Sequence, residues 1–218
     1  MNAASSMAGQ RVIVSAGPTF EDIDPVRFIG NRSSGKMGFA IAAAAARRGA
    51  QVVLVAGPVA LATPAGVQRV DVRSAAQMHA AVLAALPAAA YIGAAAVADY
   101  TPARIAPGKI KKRAGPLTLE LVATADILAD VAAHALRPRL VVGFAAETDH
   151  LEAYARGKLD SKKLDLIAAN RVGVAGSGFE SDDNALAVFW PGGECALGPA
   201  PKTELAGQLL DLISQRLR

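Results

Sequence analysis

The 218-residue chain contains one cysteine, Cys195, so no intrachain disulfide can brace it, and a lone thiol fits a reducing compartment. The cytoplasm is the expected location. No apolar run approaches the roughly 20 residues that a membrane-spanning helix needs; the longest fall at residues 40–46 and 88–98. No membrane association is expected. Aromatics make up only 5% of the chain, and no basic stripe interleaves with them. Nucleic acid is therefore not an expected partner. The three histidines, His79, His134 and His150, stand apart without metal-ligand spacing, so no zinc site is proposed and direct metal ligands stay unassigned. The N-terminus has no charged start followed by an apolar stretch, and residues 1–10, small and polar, read as a disordered tail or cloning scar.

What is present is a large apolar fraction, 52% of residues, much of it alanine, and a modest net charge of +4 that suits an anionic small molecule. Residues 11–218 fit one domain. Short apolar runs at 11–16, 51–56, 67–72, 89–94, 140–145 and 164–169 read as strands. Helical patterns at 35–48, 74–86, 125–135 and 149–163 separate them, with a closing helix at 202–217. Strands are also expected at 117–122 and 185–190. Continuously apolar strands are covered on both faces, so the expectation is an α/β fold, a Rossmann-like three-layer domain with a mostly parallel sheet. Between 99 and 115 the composition turns to Pro, Gly and cations, including Lys109, Lys111, Lys112 and Arg113, which predicts a mobile basic flap.

Gly30-Asn31-Arg32-Ser33-Ser34-Gly35-Lys36 matches the first seven positions of a phosphate-binding P-loop, but Met37 replaces the hydroxyl residue that would hold magnesium. The motif also begins well after the first strand. What survives is a Gly- and Ser-rich entry to a helix, whose amide donors favour an anion; the alternative is a helix capped by Ser33 or Ser34. Tyr154 and Lys158 have the Tyr-x-x-x-Lys spacing of short-chain dehydrogenases. The turn after the first strand, Gly17-Pro18-Thr19-Phe20, lacks the glycines a dinucleotide pyrophosphate requires. Lys158 and Lys162, four apart, share one helix face, either bracketing a polyphosphate or lying in solvent. Asp99 follows an expected buried strand at 94–98, near the sheet's carboxyl edge, where it either meets a ligand or caps a turn. Cys195, in an apparent hairpin, has no partner that would make it a nucleophile.

Six segments in order, Ala16-Gly17-Pro18-Thr19, Asp24-Pro25-Val26-Arg27, Asn31-Arg32-Ser33-Ser34-Gly35-Lys36-Met37-Gly38, Ala95-Ala96-Val97-Ala98-Asp99-Tyr100, Lys109-Ile110-Lys111-Lys112 and Gly143-Phe144-Ala145-Ala146-Glu147, closely resemble bacterial phosphopantothenate–cysteine ligase. The likeness runs from about Arg11 to the C-terminus. It implies condensation of 4'-phosphopantothenate with L-cysteine in coenzyme A biosynthesis, with CTP as co-substrate and Mg2+ as cofactor. The substrate carboxylate would attack the α-phosphate to give an acyl-cytidylate and pyrophosphate. The cysteine amine would then displace CMP.

By match to the family, Asn31 and Lys109 are the catalytic residues. Asn31 would hold the acyl-cytidylate and Lys109 would offset developing phosphate charge. The resemblance places the nucleotide among Gly93, Ala94, Ala95, Asp99 and Lys109, with Ala125, Asp126, Ile127, Leu128, Phe144, Lys158 and Lys162. It places the acyl substrate among Asn31, Ser33, Gly35, Gly38 and Asp99, with Arg27 reaching over from the other subunit of a homodimer. The family usually fuses this domain behind a flavin-dependent decarboxylase, so fusion or association with one is implied; the short polar N-terminus here favours an excised domain. The residues before Asp126 differ from the commoner Asn-Pro.

Overall fold

The computed structural model describes residues 7–112, 114–171 and 181–218. Its centre is an eight-stranded sheet. In chain order the elements are β1 (Arg11–Ala16), β2 (Phe20–Asp22), β3 (Phe28–Gly30), α1 (Lys36–Arg47), β4 (Gln51–Ala56), β5 (Val67–Asp71), α2 (Ala75–Ala84), β6 (Ala90–Gly93), β7 (Tyr100–Pro102), β8 (Leu121–Ala123), α3 (Ile127–Ala133), β9 (Leu140–Glu147), α4 (Leu151–Ser161), β10 (Leu166–Arg171), β11 (Asp183–Trp190), β12 (Gly193–Pro201) and α5 (Lys202–Arg216). The sheet order is β12-β11-β10-β9-β6-β1-β4-β5. From β5 to β10 all pairings are parallel, and β11 and β12 join antiparallel at one edge. This is the expected mostly parallel α/β domain.

The inner strands β1, β4 and β6 form on nearly unbroken apolar runs, because side chains on both sheet faces enter a core. Along β1, Val12 and Val14 face one core with Ile41, Leu54, Leu205 and Leu209, while Ile13 faces the other with Met78, Val131 and Leu159. Helices α1 and α5 cover the first face; α2, α3 and α4 cover the second. Alanine in α1 lets the helix lie close to β1. The limit of that approach is Gly38, where a Cβ would stand 2.4 Å from the Ala16 Cβ.

Three expectations change. Residues 7–10 are not a tail: Met7 is buried in the core, its N–H donates to the Arg48 carbonyl at 3.1 Å, and the Gln10 carbonyl accepts from Gln51 at 2.9 Å. The sulfur-bearing side chain gains more from burial than a short polar segment gains from freedom; residues 1–6 lie outside the described chain. The loop after β1 contains a hairpin, β2 paired with β3, closed by stacking of Phe20 on Phe28 at 4.0 Å. Residues 94–98 are not a strand; beyond β6 the chain leaves the sheet after one bridge between Pro18 and Ala96.

The expected flap runs between β7 and β8, which pair with each other. Its Arg113 lies outside the described residues. The segment is anchored to the loop after β2: the Ala106 N–H donates to the Ile23 carbonyl at 2.9 Å, and the Ile110 N–H to Asp24 Oδ2 at 3.1 Å.

Candidate functional site

Strand β1 has β4 on one side and β6 on the other, so the chain reverses direction across the sheet between β1 and β6. In an open parallel sheet such a reversal splays the following loops apart and leaves a crevice at the carboxyl ends. A cleft of about 760 Å³ lies there. Its floor is Ser15 of β1, Tyr91 and Gly93 of β6, and Ile167 of β10. That size suits a small-molecule ligand with several polar groups.

One wall is the entry to α1: Asn31, Ser33, Gly35 and Gly38 line the cleft together with Arg32 and Lys36. The cap differs from the one expected. Gly35, in the left-handed region at φ 74°, is the N-cap, and no side chain caps the helix; Ser33 Oγ accepts from the Gly35 N–H at 3.3 Å instead. A serine with a β-carbon is strained in that conformation, whereas glycine is not. First-turn amides left without a side-chain cap favour an anionic group in the cleft. Asn31 Nδ2 donates to the Val97 carbonyl at 2.9 Å, joining this wall to the loop after β6.

The opposite wall carries Ala94, Ala95 and Asp99, with Ala125, Asp126, Ile127 and Leu128 at the start of α3. Thr19 Oγ1 accepts from the Ala98 N–H at 2.9 Å and Thr124 Oγ1 donates to the Ala98 carbonyl at 2.6 Å, which fixes the backbone just before Asp99. Asp99 thus reaches the cleft from a pinned loop, not from a strand end. Phe144, Lys158 and Lys162 complete this side. The two lysines do share a face, and each has a carboxylate partner: Lys158 with Glu147 at 2.7 Å and Lys162 with Asp126 at 2.8 Å. Burial works against ionisation of Asp126, but the Lys162 hydrogen bond and the Ala129 N–H outweigh it and hold its pKa below the usual carboxylate range. Asp126 also caps α3.

Fifteen of the seventeen residues expected at the site therefore line one cleft; Arg27 and Lys109 do not. Arg27 is drawn away by Asp24 Oδ2 at 2.6 Å and by the Ile110 carbonyl at 2.6 Å. Lys109 is exposed beside Ile110. The Tyr154–Lys158 spacing yields no pair, since Lys158 turns to Glu147 and Tyr154 lies half-exposed, edge-on to His150.

Sequence reasoning missed a cationic end of the cleft. Lys36 and Lys202 line it, with Lys36 bonded to Asp182 at 2.7 Å and Lys202 donating to the Ser181 carbonyl. Burial, then the charge of Lys36, pushes the Lys202 pKa down, with Asp182 opposing. One signal was available: Lys202 opens α5, where the helix dipole disfavours a cation, so another interaction has to hold it there. The buried pair of Ser15 and Tyr91, oxygens 3.0 Å apart, was missed as well; burial pushes the Tyr91 hydroxyl up to about 12.

Among the described residues no group of three or more His, Cys, Asp or Glu side chains gathers to hold a metal, and no helix is long and apolar enough to cross a membrane. Cys195 lies on β12, away from the cleft, its thiol pushed up by burial and eased back by Arg216.

A mostly parallel sheet covered by helices on both faces and reversed beside its first strand, with a cleft at the reversal, defines an α/β domain of the Rossmann-like class. Residues 7–217 match the DNA/pantothenate metabolism flavoprotein C-terminal domain, and the chain belongs to that family. It is 56% identical over 203 residues to the coenzyme A biosynthesis bifunctional protein CoaBC of Escherichia coli, covering 91% of this chain and 50% of that one. Against the Vibrio parahaemolyticus protein of the same name, identity is 52% over 208 residues, covering 94% and 52%. The chain thus spans about half the length of these curated relatives. Among solved structures, the C-terminal domain of a CoaBC protein superposes with a TM-score of 0.83 at 38% identity, covering 98% of each chain.

Proposed function

We propose that this chain is a phosphopantothenate–cysteine ligase of coenzyme A biosynthesis, acting in the cytoplasm. It uses CTP and magnesium to join 4'-phosphopantothenate to L-cysteine through an acyl-cytidylate. The observation that carries the reading is the cleft itself, which gathers Asn31 and the α1 entry on one wall and Asp99, Lys158 and Lys162 on the other. A carboxylate does not acylate an amine unaided. Attack of its oxygen on the α-phosphorus breaks the bond to the β-phosphate and releases pyrophosphate; attack of the cysteine nitrogen on the acyl carbon then breaks the bond to CMP, with loss of one proton from nitrogen. Such chemistry asks for charge neutralisation and alignment, which lysines, a helix entry and a pinned amide supply.

Asn31 would donate to the oxygens of the acyl-cytidylate, and Lys109 would reach the phosphates from its segment. Gly93, Ala94 and Ala95, with little or no side chain, would permit close backbone approach by the nucleotide. Asp126 and Glu147 would hold Lys162 and Lys158 until phosphates replace them. Magnesium would be held largely by triphosphate oxygens, with Asp99 as a cleft carboxylate that could approach it. Arg27, turned out of its own subunit's cleft, fits a role in a neighbour's, so the active form would be a homodimer. Exposed Val26 at 57% and Phe28 at 45% on the first hairpin, with Tyr100 at 57% on the second, offer an apolar surface for it. The double length of the relatives supports fusion to, or association with, a flavin-dependent decarboxylase.

Purified protein given magnesium, CTP, phosphopantothenate and cysteine should release pyrophosphate and CMP, and substituting ATP should slow it. An inert mixture, with NADPH consumed on a carbonyl substrate instead, would sink the reading in favour of a dehydrogenase.

A further inference from the structure

Asp24 never touches the cleft, yet its carboxylate is fully buried, at 0% side-chain exposure. Burying a charge is costly unless hydrogen bonds replace water. Here four do. Oδ1 accepts from the N–H groups of Val26 and Arg27, both at 2.8 Å, closing the tight turn after β2. Oδ2 accepts from Arg27 Nη2 at 2.6 Å and from the Ile110 N–H at 3.1 Å. Arg27 Nη2 also donates to the Ile110 carbonyl at 2.6 Å.

The first two bonds suffice for a turn, and asparagine makes them as well as aspartate. The second pair needs a second acceptor oxygen, where asparagine would set an amide donor against two donors. Together Asp24 and Arg27 grip both the N–H and the C=O of Ile110, the residue next to Lys109, from a position 86 residues away in sequence. The Ala106 bond to Ile23 repeats the attachment four residues earlier. Burial opposes ionisation of Asp24, but the Ile110, Val26 and Arg27 N–H groups and the guanidinium hold its pKa at about 2. The grip therefore stays charged at neutral pH.

We infer that Asp24 is a positioning residue: it latches Ile110 to the Arg27 turn and so sets where Lys109 can reach. The catalytic half of this statement rests on the ligase reading, whereas the latch does not. Two measurements separate them. By hydrogen exchange on the unmodified protein, the Ile110 amide should exchange at least about tenfold more slowly than those of Lys111 and Lys112, and Asp24→Asn should erase the difference. In pre-steady-state assays, Asp24→Asn should slow pyrophosphate release about tenfold or more, yet by less than about twofold when Lys109 is already Gln, because a residue acting through Lys109 has nothing left to position. Equal losses in both backgrounds, or an Ile110 amide exchanging as fast as its neighbours in the unmodified protein, would overturn the proposal. The exchange comparison needs no variant, so it decides the latch even if Asp24→Asn does not fold. Unmodified protein that shows the latch but releases no pyrophosphate would overturn the catalytic role by way of the ligase reading.

Discussion

In the proposed ligase, Asn31 and Lys109 would approach the chemistry by different routes, and their loss should separate the two steps. Asn31 is held against Val97 inside the cleft, whereas Lys109 is exposed on a segment anchored through Ile110. Asn31→Asp replaces an amide donor by an anion next to the proposed acyl-cytidylate; pyrophosphate should still appear, but the intermediate should accumulate, as read by quench and mass spectrometry. Lys109→Gln would remove a charge from the proposed first transition state and should slow pyrophosphate release by about 100-fold. Equal loss of both steps in both variants would remove the division of labour. Neither role follows from spacing alone: the sequence motif around Asn31 looks like an interrupted P-loop, and only resemblance points to residue 31 over residue 36. The place of Lys202 at the start of α5 hinted at a partner, but its meeting with Asp182 and Lys36 is made by the fold and not by the local pattern.

Acid stability also belongs to single residues. The Asp24 carboxyl has an ordinary value of 3.8 and is held at about 2 in the folded protein. A depressed folded pKa contributes stability that is fully present above the unfolded value and is lost as pH falls through the folded one. The lowered pKa values of Asp22 and Asp126 act in the same sense. Stability measured by urea unfolding should therefore decline between about pH 4 and pH 2, and Asp24→Asn should flatten that decline. An unchanged slope would deny Asp24 its part.

At the scale of elements, the approach of α1 to β1 carries both stability and site geometry. A Cβ on Gly38 would stand 2.4 Å from the Ala16 Cβ, and neither methyl can rotate away. Gly38→Ala should force the helix outward, cost about 1–3 kcal/mol in urea unfolding, and slow pyrophosphate release by moving the α1 entry. Unaltered stability and rate would show that the contact is slack. The large elements were legible because their cause is local: unbroken apolar strands and an alanine-rich helix. The two hairpins were not, since strands of three residues such as β2 and β7 give no periodicity to read. The start of α1 moved from a serine to Gly35 because the left-handed backbone there follows from the close packing of the α1 entry against β1 and its loop, which composition does not encode.

For the whole molecule, the two hairpins contact each other through β2 and β7, and Val26, Phe28 and Tyr100 on them are exposed. Sedimentation should show a dimer, and Tyr100→Glu should yield monomers with little ligase activity, because Arg27 would then lose the neighbouring cleft. A monomer of full activity would show that each cleft is complete by itself. The cleft lies where the sheet reverses beside β1; alternation of strands and helices predicted the mostly parallel sheet, whereas the strand order and the meeting of residues across the cleft came only with the fold.

As proposed, this cleft builds an acyl-cytidylate before cysteine takes part. The most direct test of that proposal is a single turnover with enzyme in excess over CTP, magnesium and phosphopantothenate present, and cysteine withheld. One pyrophosphate should be released per CTP with the acyl-cytidylate retained on the protein, followed by conversion to amide and CMP when cysteine is added. Release of CDP, or of pyrophosphate only after cysteine arrives, would contradict the proposal.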